Sequence, residues 1–331
     1  MLEHVDPSLL PLGVFFFFCS LVGCFGNFIM IFCSLVSKRL RSPCHFLISA
    51  TCLVDAFHIS GQFPFCYQLF AGTTASQSDC FFILSLPIVG YTAGGPLILA
   101  MGIDRFIAVK FPTSYRYHQQ YPLQYICAQL AFPIVYTVFF LVFGFIERDT
   151  NTFNQMICAN PVALNGASFQ LYNYLNALLY VVVFILYSTV YSLLRSNRTS
   201  SGFKKVFRSI AVTVGFVLLG WAATTTANAL SYSVIGNLKT ARIIRMYSGV
   251  AVNIAAASNV FVFYAINSEY RVVIKSLFGS AKKGVIQHTD ASTTEEAGHT
   301  RSTSRSKSIS VLSTPKFVSS SPSSSRRMTL V

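Results

Sequence analysis

The chain has little charge, and acidic residues are scarcer than basic ones. Charged residues make up 11% of the 331 residues and hydrophobic residues 53%, whereas a soluble domain carries about 25% charged residues. This shortage of charge excludes an ordinary soluble domain and indicates a protein embedded in a membrane. The formal net charge of +14 would suit nucleic-acid binding, but basic residues that flank membrane spans explain it better. We therefore expect no nucleic acid among the partners.

The chain also lacks the cysteine arrangements that bind metals. None of the nine cysteines forms a Cys-x-x-Cys pair, and most lie in apolar runs, where a free cysteine behaves as a small hydrophobic residue. We therefore expect no metal site and no cofactor. The N-terminus has no basic segment followed by a small-residue cleavage site, so Leu12–Val36 is expected to stay in the membrane as a signal anchor.

Seven charge-poor runs are each long enough to cross a bilayer, because a helix needs about 20 apolar residues to span a hydrocarbon core of roughly 30 Å. The runs lie at about 11–36, 44–69, 80–108, 124–146, 170–194, 209–232 and 244–266. The sequence therefore predicts an all-α membrane protein in which residues 11–266 form a bundle of seven transmembrane helices. An odd number of spans places the two termini on opposite sides of the membrane.

Lysine and arginine predict the orientation, because loops that remain in the cytoplasm are enriched in them. The basic residues of three loops on one side are Lys38, Arg39, Arg41, Lys110, Arg116, Arg195, Arg198, Lys204, Lys205 and Arg208. The opposite side carries mainly acids, apart from one loop with Lys239, Arg242 and Arg245. We therefore expect an extracellular N-terminus at 1–10 and a cytoplasmic C-terminus, in the plasma membrane.

The third run ends in two adjacent charges at the predicted membrane boundary. Twenty-three uncharged residues separate Cys80 from Asp104, which is followed by Arg105. A charge inside lipid is costly unless it is paired or hydrated, so such a pair indicates a functional site. Pro112 and Tyr115 follow Asp104 at distances of eight and eleven residues.

In these residues the chain resembles the rhodopsin-like G-protein-coupled receptors. Their third helix begins at a disulfide cysteine and ends in Asp-Arg-Tyr, with the Arg twenty-five residues after the Cys, as Arg105 follows Cys80. Within that superfamily, the segments RSPCHFLI, CFF and GIDRFIAVKFPTSYR look like the nematode serpentine chemoreceptors of the Srsx class, over about residues 20–278. The resemblance implies a receptor, not an enzyme, that senses an extracellular small molecule and activates a heterotrimeric G protein. Sensory cilia are one location that it suggests.

The resemblance implies a contact with the G protein at the cytoplasmic end of the third helix and in the loop that follows. The residues concerned are Asp104, Arg105, Phe106, Pro112 and Tyr115. Family members often tether this Arg to an acidic residue on helix six, but the matching position here is Phe203. We therefore expect Arg105 to rely on Asp104 and the resting state to be loosely held.

A disulfide between Cys80 and Cys158 is also implied by the resemblance. Both cysteines fall on the predicted extracellular side, where disulfides form. Cys66 is the competing partner. The bond would attach the loop at 147–169 to the third helix.

Four residues inside the spans match the family's activation network, and Tyr264, next to a fifth position, is expected to belong to it as well. The four are Asn27, Asp55, Trp221 and Asn259. Apart from Asp104 at the membrane boundary, Asp55 is the only acid inside a predicted span, which makes it a functional candidate. The positions that would complete the family's sodium site are Gly94, Ala255 and Ala256. We therefore expect Asp55 either to bond to Asn259 or to be protonated. The structural alternatives are that Asn27 bonds to nearby backbone and that Trp221 is simple core.

Two helices depart from the family pattern. Where the family has Asn-Pro-x-x-Tyr, this chain reads NVFVFY from Asn259, which puts Phe263 at the Tyr position. We expect Tyr264 to take that role one residue out of register. Helix six also lacks the proline that follows the family's Trp, since Ala223 stands there, and this loss removes a kink-forming element.

The ligand class is narrowed by two absences. Amine receptors of this family carry an Asp eighteen positions before the Arg, where this chain has Pro87, and retinal-binding relatives carry a Lys where it has Asn253. Both classes are disfavoured. The candidate ligand-binding residues, each of which can equally bond to another helix, are Gln62, Tyr91, Thr224, Asn228, Arg245 and Asn253. The alternatives are a neuropeptide receptor of the same fold, and a transporter or channel, which the single buried ionisable group disfavours.

Two segments follow the last span. Apolar residues at helical spacing in 267–278, after Ser268 as a cap, predict a short amphipathic eighth helix that lies on the lipid of the inner leaflet. Residues 279–331 hold twenty-one serines and threonines and few apolar residues, so we expect a disordered cytoplasmic tail. Arg-Ser repeats at 301–308 suit kinases, phosphates there would suit arrestin, and the terminal Thr-Leu-Val suits a PDZ protein.

Overall fold

The computed structural model describes residues 7–149, 155–164, 166–196, 201–233 and 238–277. Within these ranges the chain is helical, with one antiparallel bridge between Ala75 and Met156. Six helices are long and apolar enough to cross a membrane, and a bent pair of helices makes a seventh span. The predicted seven-helix membrane fold is confirmed.

The seven spans lie close to the predicted runs. Their helices are Leu10–Val36 (first), Pro43–Ser60 with Gln62–Ala71 (second), Ser85–Lys110 (third), Pro122–Glu147 (fourth), Gly166–Ser196 (fifth), Ser201–Ser233 (sixth) and Leu238–Ala257 with Asn259–Ile266 (seventh). A 3-10 turn at Pro7–Leu9 precedes the first span. The connections contain a 3-10 turn at Lys38–Leu40 and short α-helices at Gln77–Ile83, Pro112–Gln120 and Asn160–Ala163. A last helix covers 268–277.

Proline explains two interruptions. The second span breaks at Gly61, three residues before Pro64, and the third span is separated from the short helix before it at Leu84, three residues before Pro87. Proline has no N–H, and its ring clashes with the carbonyl four residues earlier, so each proline ends the helix that precedes it. The helix of the third span therefore begins at Ser85, five residues after the start of the predicted run at Cys80.

The seventh span bends by 42° around Ser258, although no proline is present there. Ser258 Oγ donates to the carbonyl of Ala255 at 2.7 Å, and Nδ2 of Asn27 and of Asn259 donate to the carbonyl of Ala256 at 3.0 and 3.4 Å. Side chains that insert into the backbone ladder in this way bend a helix. Polar side chains thus produce a bend that proline produces elsewhere.

The third span lies at the centre of the bundle, against the second, fourth and fifth spans. Gly90 allows the closest approach, because a Cβ atom there would lie 2.2 Å from the backbone nitrogen of His58 and 2.3 Å from the carbonyl oxygen of Val54. Small residues bring membrane helices together, since lipid supplies no hydrophobic drive between them. Side chains that face away from the bundle, such as Phe25 and Val135, are apolar and exposed.

The helix at 268–277 packs against the bundle. Tyr270, Val273 and Ile274 are buried in the same core cluster as residues of the first and second spans. The hydroxyl groups of Tyr270 and Ser34 are 3.2 Å apart. The apolar side chains that we predicted to lie on lipid therefore contribute to the core.

This helix is capped by Asn267 and not by Ser268. Asn267 Oδ1 accepts the backbone N–H of Glu269 at 2.9 Å, which satisfies one of the unpaired donors of the first turn. The residues 1–6 and 278–331 lie outside the described residues, so the extracellular N-terminus and the cytoplasmic tail stay predictions.

Candidate functional site

Asp104 and Arg105 are buried side by side near the end of the third span. Asp104 is fully buried and Arg105 is 4% exposed. Arg105 Nε donates to Asp104 Oδ2 at 2.8 Å, and Nη2 contacts the same oxygen. Breaking such a buried pair leaves an uncompensated charge, so each residue depends on the other. We call this part of the bundle the Arg105 end.

Two tyrosine hydroxyl groups complete the ion pair. Tyr125 OH donates to Asp104 Oδ1 at 3.1 Å, and Arg105 Nη2 donates to Tyr115 OH at 3.1 Å. Tyr125 belongs to the fourth span, and Tyr115 to the helix Pro112–Gln120. Burial raises the pKa of Tyr115 above its ordinary value, so its hydroxyl stays protonated near neutral pH. The pair is thus attached to two further helices.

The sixth span contributes an aromatic ring to the same cluster. The guanidinium carbon of Arg105 lies 4.8 Å from the ring centroid of Phe203 and 6.0 Å from that of Tyr115. A guanidinium within about 6 Å of a ring centroid is attracted by the negative face of the ring. The prediction that Arg105 relies on Asp104 is therefore incomplete, because the sixth span also holds Arg105 without an acid.

The other two predicted coupling residues lie at the edge of this cluster. Phe106 packs partly buried against the core and lies edge-on to Phe111, with 6.3 Å between ring centroids. Pro112 is exposed and is the first residue of its helix, where the missing N–H has no partner to lose. All five predicted residues therefore lie at the Arg105 end.

A second polar cluster surrounds Asn259, at the bend of the seventh span. Asn259 Nδ2 donates to Asp55 Oδ2 at 2.7 Å and to Asn27 Oδ1 at 2.8 Å. The hydrogen bond between Asp55 and Asn259, one of the two predicted alternatives, is present. Three predicted residues from the first, second and seventh spans thus share one network, in which each bond depends on the others.

Trp221 lies in an aromatic cluster of the continuous sixth span. Its ring is buried and packs against Tyr91 and Tyr180, with 5.5 and 5.6 Å between centroids. Tyr91 also packs against Tyr172 of the fifth span at 4.4 Å. The tryptophan therefore connects the sixth span to the third and fifth spans through ring contacts.

Tyr264 does not face the polar cluster around Asn259. It is 40% exposed, whereas the preceding Phe263 is 3% exposed and packs against Tyr270 with 5.2 Å between centroids. One residue turns an α-helix by about 100°, so the shift by one position takes Tyr264 off the inner face. The expectation that Tyr264 replaces the family's Tyr has no support in this arrangement.

A small cavity lies between Asp55 and Trp221. Its volume is about 30 Å³, and its walls include His58, Tyr91 and Gly94. A Cβ atom at Gly94 would meet nothing within 4 Å. A cavity holds a water molecule from about 10–15 Å³, whereas ligand pockets usually measure about 300–1,000 Å³. A ligand would therefore enter only if the surrounding helices separated.

Three predicted ligand-binding residues have clear positions. Tyr91 lines the cavity. Thr224 Oγ1 donates to the carbonyl of Ser248 at 2.9 Å and so links the sixth and seventh spans. Asn253 Nδ2 donates within its own helix, while its buried Oδ1 has no hydrogen-bond partner among the described residues. Thr224 is thus bonded to another helix, and Asn253 retains an acceptor for a ligand.

The remaining candidates are less informative. Gln62 is buried in the second span. The side chains of Asn228 and Arg245 lie outside the described residues.

Sequence reasoning missed His58, which lines the same cavity as Asp55. Its ring stacks on Tyr91 with 5.7 Å between centroids and 10° between planes, and its buried Nε2 has no hydrogen-bond partner in the described part of the chain. Buried ring nitrogens are normally paired, so this one is available to a ligand or water. The spacing of three residues, which puts His58 and Asp55 on one helix face, was the available signal.

The predicted disulfide between Cys80 and Cys158 is present, with 5.2 Å between the Cα atoms. The competing Cys66 is a free cysteine whose thiol donates to the carbonyl of Gly13 at 3.2 Å. The bond attaches the segment at 155–164 to the helix that precedes the third span. We call this part of the bundle the disulfide end.

Hydrogen bonds hold the same segment against the second span. Gln68 Oε1 accepts the backbone N–H of Cys158 at 2.6 Å, and Asn160 Nδ2 donates to the carbonyl of His58 at 2.8 Å. A Cβ atom at Gly61 would lie 1.9 Å from Asn160 Oδ1, so the glycine at the break makes room for this side chain. The segment is thus anchored beside the cavity residue His58.

Residues 20–278 match the family model described as "Serpentine type 7TM GPCR chemoreceptor Srsx". Among curated proteins, human olfactory receptor 8D1 is 31% identical over 145 residues, which are 43% of this chain and 44% of that protein. Human olfactory receptor 2L2 is 32% identical over 105 residues, which are 30% of this chain and 32% of that protein. The chain thus spans less than half the length of these relatives. Because the family match includes the Asp104–Arg105 pair, the disulfide and the Asn259 network, the chain belongs to the Srsx family of serpentine G-protein-coupled receptors.

Proposed function

We propose that the chain is a chemosensory receptor that binds an extracellular small molecule and activates a heterotrimeric G protein. The observation that carries this proposal is the buried Arg105, which contacts Tyr115 of the helix Pro112–Gln120, called the loop helix from here on, and Phe203 of the sixth span. Its partner Asp104 accepts a hydrogen bond from Tyr125 of the fourth span. A planar, permanently charged guanidinium can donate to several carbonyl groups of a partner at once. Movement of the sixth span would therefore expose a group suited to a G protein.

The proposed orientation places the Arg105 end in the cytoplasm and the disulfide end outside the cell. Lys110, Lys204 and Lys205 are exposed at the Arg105 end, and basic residues favour the cytoplasmic side. A disulfide persists in the oxidising extracellular environment. The plasma membrane, including that of sensory cilia, fits this arrangement.

The proposed ligand site includes the cavity between Asp55 and Trp221, which Tyr91 and His58 line, and the other candidate residues predicted from the sequence. Its members are Gln62, Tyr91, Thr224, Asn228, Arg245 and Asn253, with His58 added. The two curated relatives are named olfactory receptors, which favours a small molecule over a peptide. A ligand that separates the helices around the cavity would shift the population toward an open form, and Asn27, Asp55, Trp221 and Asn259 would transmit this change.

The proposed domains follow the predicted boundaries. Residues 11–266 form the receptor domain, flanked by an extracellular segment at 1–10 and by the amphipathic helix at 267–278. The tail at 279–331 is cytoplasmic, and kinases, arrestin and a PDZ protein are its proposed partners. Epitope tags at the two ends, stained with and without permeabilisation, test the orientation, because a C-terminal tag visible on intact cells contradicts it.

The function is tested by a small-molecule screen in cells that express the receptor with a promiscuous G protein. For an active compound, Arg105→Ala should abolish the response at equal surface level, because no other buried cation replaces Arg105 in the described part of the Arg105 end. Arg116→Ala is the matched control, since Arg116 is exposed on the helix Pro112–Gln120 at the same end. A normal response from Arg105→Ala contradicts the proposed coupling.

A further inference from the structure

The contact between Arg105 and Phe203 joins two spans that are far apart in sequence. Phe203 lies in the first turn of the sixth span and is partly buried, while its neighbours Lys204 and Lys205 are exposed. The sixth span therefore turns an aromatic face toward Arg105 and its positive charges toward solvent. The guanidinium carbon lies 4.8 Å from the ring centroid, within the range of cation–π attraction.

The other described partners of Arg105 do not hold the sixth span. Asp104 lies on the same helix as Arg105 and moves with it. Tyr115 belongs to the loop helix, and the pair reaches the fourth span through Tyr125. Among the contacts of the described residues, the ring of Phe203 is thus the one that ties the charge of Arg105 to the sixth span.

The ring also occupies space that a partner needs. Two carbon atoms in contact lie about 3.5 Å apart, so an atom inserted between the guanidinium and the ring would require about 7 Å. The observed 4.8 Å leaves no such room. A carbonyl group of a partner can therefore approach this face of Arg105 only after the ring has left.

We propose that Phe203 is a positioning residue that holds Arg105 in the resting receptor through its ring face and must leave before a partner binds there. The inference rests on the proposed function, because it supplies the resting state from which G-protein activation departs. With this contact, the resting state is held more firmly than we expected from the absence of an acid at position 203. The aromatic ring takes the place of that acid, since the face of a ring attracts a desolvated cation without carrying charge itself.

The experiment measures the distance between the third and sixth spans directly. Spin labels are introduced as non-canonical amino acids at the exposed Lys110 and Lys205, so that the exposed thiol of Cys127 is not involved. The receptor is purified in lipid nanodiscs without ligand or G protein. Phe203→Leu removes the ring face but keeps an apolar side chain, whereas Phe203→Tyr keeps the ring and serves as the matched control.

We expect Phe203→Leu to raise the ratio of long to short distances roughly 3- to 30-fold, and Phe203→Tyr to leave it near the wild-type value. Phe203→Glu, which offers Arg105 a charge, should keep the short distance. A wild-type distribution in Phe203→Leu overturns the proposal. So does an equal opening in Phe203→Leu and Phe203→Tyr, because the ring would then not be the relevant feature.

Basal signalling of the same variants separates this inference from the proposed function. If Phe203→Leu opens the spans and raises basal G-protein signalling, both are supported. If it opens the spans without any signalling, the contact stands and the proposed coupling to a G protein is wrong. A variant that misfolds is recognised by its lost surface delivery, and Phe203→Met, which also lacks a ring, then takes the place of Phe203→Leu with the same expected opening.

Discussion

The side-chain amide of Asn259 donates to the carboxylate of Asp55 at 2.7 Å, at the point where the seventh span bends. The same amide donates to Asn27 at 2.8 Å, and Asn27 in turn donates to the carbonyl of Ala256 at 3.0 Å. One amide group therefore supports two polar side chains of other spans and the bend of its own span. Its loss would take a donor from the buried Asn27 and from the partly buried Asp55 at once.

Asn259→Ala should lower the stability of the receptor. A buried polar group that loses its partner costs about 1–3 kcal/mol, and Asp55 and Asn27 both lose one. Thermal unfolding of the purified protein in detergent measures this as a lower Tm. Asn173→Ala is the control, because the Asn173 amide donates to the carbonyl of Phe169 in its own helix at 2.8 Å. Equal losses of Tm in the two variants would show that the Asn259 network contributes no more to stability than a hydrogen bond within one helix.

Replacing either cysteine of the disulfide should reduce stability and surface delivery. Removal of a native disulfide commonly costs about 2–5 kcal/mol, and here it also frees the segment that carries Asn160. Cys80→Ser and Cys158→Ser should behave alike, and the double variant should lose no more than either one. Cys127→Ser, at an exposed free cysteine, is the control. A reducing agent should lower the Tm of the wild type but not that of Cys80→Ser.

The position of the spans was predictable because their length and lack of charge are imposed by the bilayer. The Asp104–Arg105 pair and the Cys80–Cys158 disulfide were also accessible, since their spacing carries the family resemblance. The sequence was a much poorer guide to which side chains face the inside of the bundle. A helix that is apolar all round has no polar face to orient it, so neither the burial of Phe263 in place of Tyr264 nor the contact of Phe203 could be read from the pattern.

The break in the second span and the bend in the seventh span were not predicted from the sequence, for a different reason. The break in the second span follows from Pro64, but the use made of Gly61 depends on Asn160, almost a hundred residues later. The bend at Ser258 depends on Asn27 in the first span. Such partners become visible only when the fold brings distant residues together.

Gly61→Ala should destabilise the disulfide end. The added Cβ atom would lie 1.9 Å from Asn160 Oδ1 and 2.9 Å from Pro87 Cβ, so the Asn160 side chain must move and give up its bond to His58. The expected cost is about 1–3 kcal/mol, seen as a lower Tm.

Gly94→Ala is the matched control for Gly61→Ala, because a Cβ atom at Gly94 would meet nothing within 4 Å. Alanine is favoured over glycine inside a helix by about 0.5–1 kcal/mol, so Gly94→Ala should keep or raise the Tm. If Gly61→Ala were as stable as Gly94→Ala, the anchoring of the segment by Asn160 would be unimportant. Adding Asn160→Ala to Gly61→Ala should recover part of the loss.

The last prediction concerns how strongly substitutions around Arg105 raise the basal signalling of the receptor. Asp104→Asn removes the charge that offsets Arg105 and should raise basal signalling most. Tyr125→Phe removes one hydrogen bond to Asp104, worth about 0.5–1.5 kcal/mol, and should raise it less. Tyr117→Phe is the control, because Tyr117 is exposed on the loop helix, and it should signal as the wild type does.

The same series shows whether these residues act through Arg105. If Asp104 restrains the receptor by holding the guanidinium, Asp104→Asn should have no effect in an Arg105→Ala background, since no cation is left to release. A cell reporter of G-protein activity, corrected for surface level, measures all four combinations of the two substitutions. Activation by Asp104→Asn that persists without Arg105 would mean that Asp104 acts on another group, and the proposed role of the ion pair would be wrong.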